Sequence, residues 1–259
     1  MTIDPLRVLV CVKRVPAPGA KINITADGQR VDTANLGFTM SPHEECAVEA
    51  GAQLVEQHGG EATVLTLGPA DAEEQVRYAV SVGMQRGVVM PITDDEWDPQ
   101  RTARAITAAV RDLEATDGPF DMILFGNESA DSGGFQVGVR VAYALGRPMV
   151  NGAKGLTLVD GVARVEREAD SGREAYELPL PAVVGVKEGI NLPRYPTMKG
   201  RLASKKAEVA TIEPQGQPGG MTKIRLQPPP ERTTHTVILG HGPDAAPAVV
   251  DVLEQIGVL

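Results

Sequence analysis

Residues 125–140, FGNESADSGGFQVGVR, carry the densest set of groups able to hold a ligand. An apolar stretch gives way to a polar turn with Gly133 and Gly134 adjacent, and a run with helical character follows. A helix that starts after such a turn offers unpaired amides and a partial positive charge, and neighbouring glycines let the backbone approach an anion. Ser132, Gly133, Gly134 and Phe135 occupy the positions where those amides should point. Asp131 would repel a phosphate if turned inward, so a cap or a ribose contact suits it better. Two readings stay open on these residues alone: a phosphate-binding turn, or a tight turn capped by Asp131 or Ser132. Neither GxxxxGK[ST] nor GxGxxG occurs in the chain.

The other reactive residue types do not assemble a catalytic group. Cys11 sits in the apolar run RVLVCV with no basic partner at a telling spacing, which is the setting of a small core residue. His43 stands near a helix start and no Ser or Cys nucleophile is tied to it by spacing. Glu166, Glu168 and Asp170 alternate along a strand and share one face, but Arg164 and Arg167 between them fit a solvated charged surface. The four His and two Cys show no metal-ligand spacing, so no metal site is expected.

Elements that could position the 131–138 turn are legible. RVLVCV reads as a strand covered on both faces. The next helix has Ser41 as N-cap, Pro42 at its first position and Glu44 and Glu45 near its positive end, and it stops at Gly59-Gly60. ATVLTLG, GVVMPI and FDMILFG are further strands, and residues 70–82 and 99–113 are helices with one apolar side. Four strand–helix alternations predict an α/β, Rossmann-like parallel sheet with helices on both faces and ligands at the carboxyl ends of its strands. LTLVDGVARVERE and REAYELPLPAVVGV alternate as antiparallel strands do, with Asp160-Gly161 and Asp170-Ser171-Gly172 as turns, and predict a β-rich extension. PQGQPGG (214–220) reads as a linker, QPPPERTTHT (227–236) as an extended stretch and residues 244–256 as a last amphipathic helix. The predicted organisation is an α/β domain over 1–212, which the resemblance described below makes nucleotide-binding, and an arm over 213–259 that packs on a partner.

Composition narrows the partners. The 259 residues are 42% hydrophobic and 23% charged with formal net charge -9, which suits a globular protein and disfavours nucleic acid and anionic membranes. The two cysteines and the MTIDPLRVLV start predict a reducing cytoplasm, and no apolar run approaches the roughly 20 residues needed to cross a bilayer. Aromatic residues make up 3%, so stacking on protein rings is not the expected mode of cofactor binding.

VLVCVKRV, SADSGGFQVG, VEREADSGREAYELPLPAVVGV and above all NLPRYPTMKGRLASKK resemble the β subunit of electron transfer flavoprotein, including its FixA-like bacterial forms. The resemblance implies a heterodimer with an α subunit that carries the redox FAD, while the β subunit holds a structural AMP. It assigns the AMP phosphate to Asp131, Ser132, Gly133, Gly134, Phe135, Gln136, Val137 and Gly138, and adenosine contacts to Cys11, Ser41, Pro42, His43 and Leu67. It places a recognition loop at about 191–206, with Met198 as its apolar anchor and Lys199, Arg201, Lys205 and Lys206 as a basic flank. Val137 stands where many members have Thr, which removes one hydroxyl donor, and VPAPGA has no aromatic residue where some members approach the flavin.

The implied role is an electron carrier without enzymatic chemistry of its own, taking electrons from flavoprotein dehydrogenases such as acyl-CoA dehydrogenases towards a membrane quinone reductase. In bifurcating relatives a second FAD replaces AMP, and the turn does not separate the two cases. A PP-loop ATP pyrophosphatase is the alternative enzyme: Ser132-Gly133-Gly134 begins its pattern, but Gln136 and Val137 replace the Asp-Ser end. A free-standing nucleotide-binding stress module is a third reading, disfavoured by the basic segment and the tail.

Overall fold

The computed structural model describes residues 5–93, 97–218, 220–230 and 236–259. Three pieces of the stretches read above lie outside them: residues 1–4, Gly219 and residues 231–235.

Strand β1 (Leu6–Val12) is apolar at nearly every position because helices cover both of its faces. Four two-residue strands follow, β2 (Val15–Pro16), β3 (Asn23–Ile24), β4 (Val31–Asp32) and β5 (Phe38–Thr39), pairing β2 with β5 and β3 with β4. The expected alternation then runs through α1 (Pro42–His58), β6 (Gly60–Gly68), α2 (Glu73–Ser81), β7 (Arg86–Pro91), α3 (Pro99–Asp117), β8 (Met122–Gly126) and α4 (Val137–Leu145). Beyond it lie β9 (Met149–Val159), β10 (Val162–Ala169), β11 (Gly172–Pro179), β12 (Ala182–Val186), α5 (Met198–Lys206) and β13 (Val209–Thr211).

These strands form one nine-stranded sheet in the order β11-β10-β9-β12-β8-β1-β6-β7-β13. Pairing is parallel from β9 through β13 and antiparallel across β9-β10-β11. The fold is therefore the expected α/β architecture, with a mostly parallel sheet and a β extension. α1 and α2 pack over Val8, Val10, Val64 and Val184 on one face, and α3 and α4 over Leu9, Leu65, Ile123 and Val183 on the other.

One strand differs from its sequence reading. REAYELPLPAVVGV alternates into β11 as predicted, but its AVVGV end is β12, buried at every position and parallel to both β8 and β9. A short β-branched run with no alternation is what a doubly covered strand requires. The alternating residues before it hide the change of role.

The chain divides into two compact units, Met1–Leu226 and Gln227–Leu259. Within the first, the stretch after β13 lies along α3, where Arg101 Nε donates to the Gly216 carbonyl at 3.4 Å and Arg104 Nη1 to the Pro218 carbonyl at 3.2 Å. In the second, the last predicted helix is present as α6 (Ala246–Gln255), and none of its residues is buried. Among the described residues, no helix is long and apolar enough to cross a membrane.

Candidate functional site

From β1 the chain moves through α1 to β6 on one side, whereas α3 returns it from β7 to β8 on the other side of β1. The connections leaving the carboxyl ends of β1 and β8 therefore diverge, and open α/β sheets bind ligands at such a point. Lys13 follows β1 directly, and the 127–136 turn follows β8.

Lys13 joins these two connections. Its Nζ lies 2.7 Å from Asp131 Oδ2 and donates to Ser132 Oγ at 3.3 Å. Asp131 also accepts from the Ser132 amide at 2.7 Å, and Ser129 Oγ lies 2.9 Å from Ser132 Oγ. Burial pulls the Asp131 carboxyl upward, but the Lys13 charge and the surrounding donors outweigh it and hold the group below its usual range. The Lys13 cation and the Ser129 and Ser132 hydroxyls suit an oxyanion, while the Ser132 and Gly133 amides are spent inside the turn, on Asp131 and on the Ser129 carbonyl.

The first turn of α1 closes the same crevice. Ser41 Oγ donates to the Glu128 carbonyl at 3.3 Å, and Pro42 is the first helical residue. His43 Nδ1 accepts from the Glu188 amide at 2.8 Å and its Nε2 lies 3.5 Å from Glu128 Oε1, which fixes the proton on Nε2. His43 thus ties the turn after β8 to the segment after β12. Glu44 is buried and accepts from the Ser41 amide at 3.1 Å.

Desolvation raises the Glu44 carboxyl from 4.5 to about 8, against the lowering effect of the Lys13 and Ser41 amides and of the Lys13 charge. The folded protein therefore binds a proton at Glu44 that the unfolded chain releases near its ordinary value. Stability contributed there is complete below pH 4.5, declines as pH rises from there, and is lost once pH has passed the folded value of about 8. Thermal unfolding across pH 6–9 is expected to show a falling Tm that Glu44→Gln flattens, since an amide keeps the neutral form. An unchanged slope in the variant would show that Glu44 does not carry this proton.

The remaining residues of the predicted site divide by role. Cys11 pairs with Leu65 and Phe125 in mid-sheet, and burial, reinforced by the Glu44 charge, pushes its thiol far up, so it backs the crevice as an inert core residue. Leu67 lies beyond the last β1 pair, at the sheet's ligand edge. Gly133 has φ +52° and Phe135 φ +54°, so the turn uses the left-handed region twice, once at a residue with a side chain. The helix starts at Val137 with Gln136 as N-cap, later than the turn's glycines suggest, and neither Asp131 nor Ser132 caps it. Gln136 Oε1 accepts from Arg140 Nε and Nη2 at 3.1 and 2.9 Å. Val137 packs on the sheet, and a Cβ at Gly138 would stand 3.1 Å from Phe125 Cγ and from Met149 Cε, so these two seat α4.

Residues outside the predicted set matter as much. Lys13 was visible only as part of VKRV, and its role depends on β1 lying beside β8. Glu44 could have been found from Ser41-x-x-Glu44, a capping-box spacing. Among the described residues, no group of three or more His, Cys, Asp or Glu is placed to hold a metal ion.

The second predicted site lies apart from the crevice. Met198 opens α5 and is 76% exposed. Lys199, Arg201, Lys205 and Lys206 are exposed along the same helix. The predicted loop is thus partly helical: Thr197 Oγ1 caps α5 by accepting from the Gly200 amide at 3.0 Å. A Cβ at Gly200 would lie 2.1 Å from the Ser81 carbonyl, which shows how closely α5 rests on the end of α2.

Comparison with known proteins adds a family. Residues 30–216 match the electron transfer flavoprotein domain. Electron transfer flavoprotein subunit beta of Syntrophomonas wolfei is 36% identical over 228 residues, covering 88% of this chain and 87% of that protein. The human subunit beta is 34% identical over 236 residues, covering 88% and 91%. That of Bacillus subtilis is 31% identical over 210 residues, covering 80% and 79%.

Proposed function

We propose, from the premise that this chain belongs to the electron transfer flavoprotein family as a homologue of the β subunit, that it holds a nucleotide and recognises electron donors for a heterodimeric carrier. The partner is an α subunit bearing most of the contacts to a redox FAD, on which residues 213–259 pack as an arm. Electrons pass from flavoprotein dehydrogenases, such as acyl-CoA dehydrogenases, towards a membrane quinone reductase. Within the family, the FixA-like bacterial form is the subtype we propose.

The observation that carries this reading is the Lys13–Asp131–Ser132 cluster at the point where the β1 and β8 connections diverge. Its donor set fits the phosphate of AMP. Lys13 Nζ, Ser132 Oγ and the free amides at the start of α4 would hold the phosphate, and Ser41, Pro42, His43 and Leu67 would border the adenosine. The redox chemistry is the flavin's, and this subunit contributes binding, orientation and electrostatics as an electron carrier.

Co-expression with the α subunit and quantification of the nucleotides released on denaturation test the reading. One FAD and one AMP per heterodimer are expected. Two FAD would make the chain a bifurcating type, and a chain that never pairs with an α subunit would sink the proposal. Met198→Ala is expected to slow reduction of the heterodimer by its dehydrogenase about tenfold or more, as loss of a buried hot-spot side chain does, with FAD and AMP content unchanged. Loss of flavin in that variant would place the segment at the wrong interface.

A further inference from the structure

Residues 191–198, NLPRYPTM, present apolar and anchoring side chains in separate registers. Leu192, Tyr195 and Met198 recur every third residue and are 89%, 89% and 76% exposed. Pro193 and Pro196 hold the residues before them extended, and Thr197 has φ -72° and ψ 162°. Those angles are close to the three-residue repeat of a polyproline helix, in which positions three apart share one face. Large apolar groups are therefore displayed together without a core beneath them.

What holds the segment is Arg194. Its Nε and backbone amide donate to Glu49 Oε2 at 2.8 and 3.1 Å, and its Nη2 donates to Glu49 Oε1 and Glu56 Oε2 at 2.9 Å each. Glu49 is buried on α1, and Gln53 Nε2 also donates to it at 2.7 Å. Burial alone would raise the Glu49 carboxyl, but the Arg194 contacts outweigh it and hold the group low. On either side, Asn191 Nδ2 donates to the Cys46 carbonyl at 3.0 Å and Gly200 closes on Ser81.

We propose that Arg194, gripped by Glu49 and Glu56, is a positioning residue for partner recognition that holds Leu192, Tyr195 and Met198 as one preformed docking face. This rests on the reading of Met198 as the anchor. The guanidinium fork fixes the backbone in two directions, whereas an ammonium would grip one carboxylate. Prior ordering of the apolar face lowers the entropy lost on docking, which strengthens association without touching the chemistry. The matching partner surface has an apolar cleft with an acidic rim facing Lys199, Arg201, Lys205 and Lys206.

The test uses the αβ heterodimer carrying Arg194→Met, Arg194→Lys or Glu56→Gln, with Met198→Ala beside them. Hydrogen exchange of residues 192–198 is read in each heterodimer. Steady-state reduction by an acyl-CoA dehydrogenase with its thioester substrate supplies KM for the heterodimer and kcat. Arg194→Met is expected to speed exchange in that segment about tenfold and raise KM by a similar factor, with kcat and flavin content held. Arg194→Lys should restore part of both, which general destabilisation would not. Unchanged exchange overturns the proposal, and so does an unchanged KM while Met198→Ala raises it. If KM is unmoved by Met198→Ala as well, the anchor reading itself fails. Should Arg194→Met not fold, Glu56→Gln removes the exposed half of the grip, and wild-type exchange in that variant overturns the proposal equally.

Discussion

Lys13→Gln is expected to strip AMP from the heterodimer. Lys13 is the cation that bridges the β1 and β8 connections, and it offsets the Asp131 charge, which would repel a phosphate held at this turn. A hydrogen bond to a charged group contributes about 1.5–3 kcal/mol, so affinity should fall roughly tenfold to a hundredfold. Replacing the cation also leaves the Asp131 carboxylate without its main counter-charge, and its repulsion of the phosphate adds to the loss. Lys13→Gln combined with Asp131→Asn should therefore recover part of the affinity, because the second change removes the repelling charge. Calorimetric titration of AMP into nucleotide-stripped heterodimers measures both. Wild-type affinity in the single variant would remove Lys13 from the phosphate site. Additive losses in the pair would mean that Asp131 does not face the ligand.

The second large effect is expected at Gly126, the last residue of β8. A Cβ there would stand 2.7 Å from Glu44 Cγ, 3.2 Å from the Glu44 amide nitrogen and 3.3 Å from His43 Cβ. Glu44 cannot swing aside, since it is buried and bonded to the Ser41 amide, and the other two atoms belong to the helix frame. Gly126→Ala must therefore push the first turn of α1 away from β8. Overpacking of this kind costs about 1–3 kcal/mol, and each kcal/mol lowers Tm by roughly 2–4 °C in a domain of this size. The crevice opens at the same place, so nucleotide retention should fall together with Tm. Gly37→Ala is the control, because a Cβ there meets only Ala17 Cβ at an ordinary 3.8 Å. Indistinguishable Tm and AMP content in the two variants would refute the role assigned to Gly126.

Much of this architecture was legible in local patterns. β1, β6, β7 and β8 are short apolar runs with turn signals at their ends, and α1 carries its start in Ser41 and Pro42 and its stop in Gly59-Gly60. Such signals act within a few residues, so a sequence displays them directly. The polar turn after β8 was legible from adjacent glycines after a strand, whereas the roles given to residues 131–138 and to Met198 come from the family resemblance alone. β12 was misread because five buried residues follow an alternating strand with no break in apolar character, and only neighbours on both sides reveal the difference.

The sequence by itself determined the α/β class, the position of the polar turn after β8 and the family. Tertiary structure decided which side chains share a crevice. Lys13 and Ser132 are 119 residues apart in the chain and meet because β1 and β8 are parallel neighbours. Arg194 reaches Glu49 across 145 residues because the segment after β12 returns over α1. Contacts of that kind depend on strand order, which is settled by the packing of whole helices and sheets. No periodicity within a single segment encodes it, and so FGNESADSGGFQVGVR could suggest a turn fit for an anion without naming the lysine that lies against it.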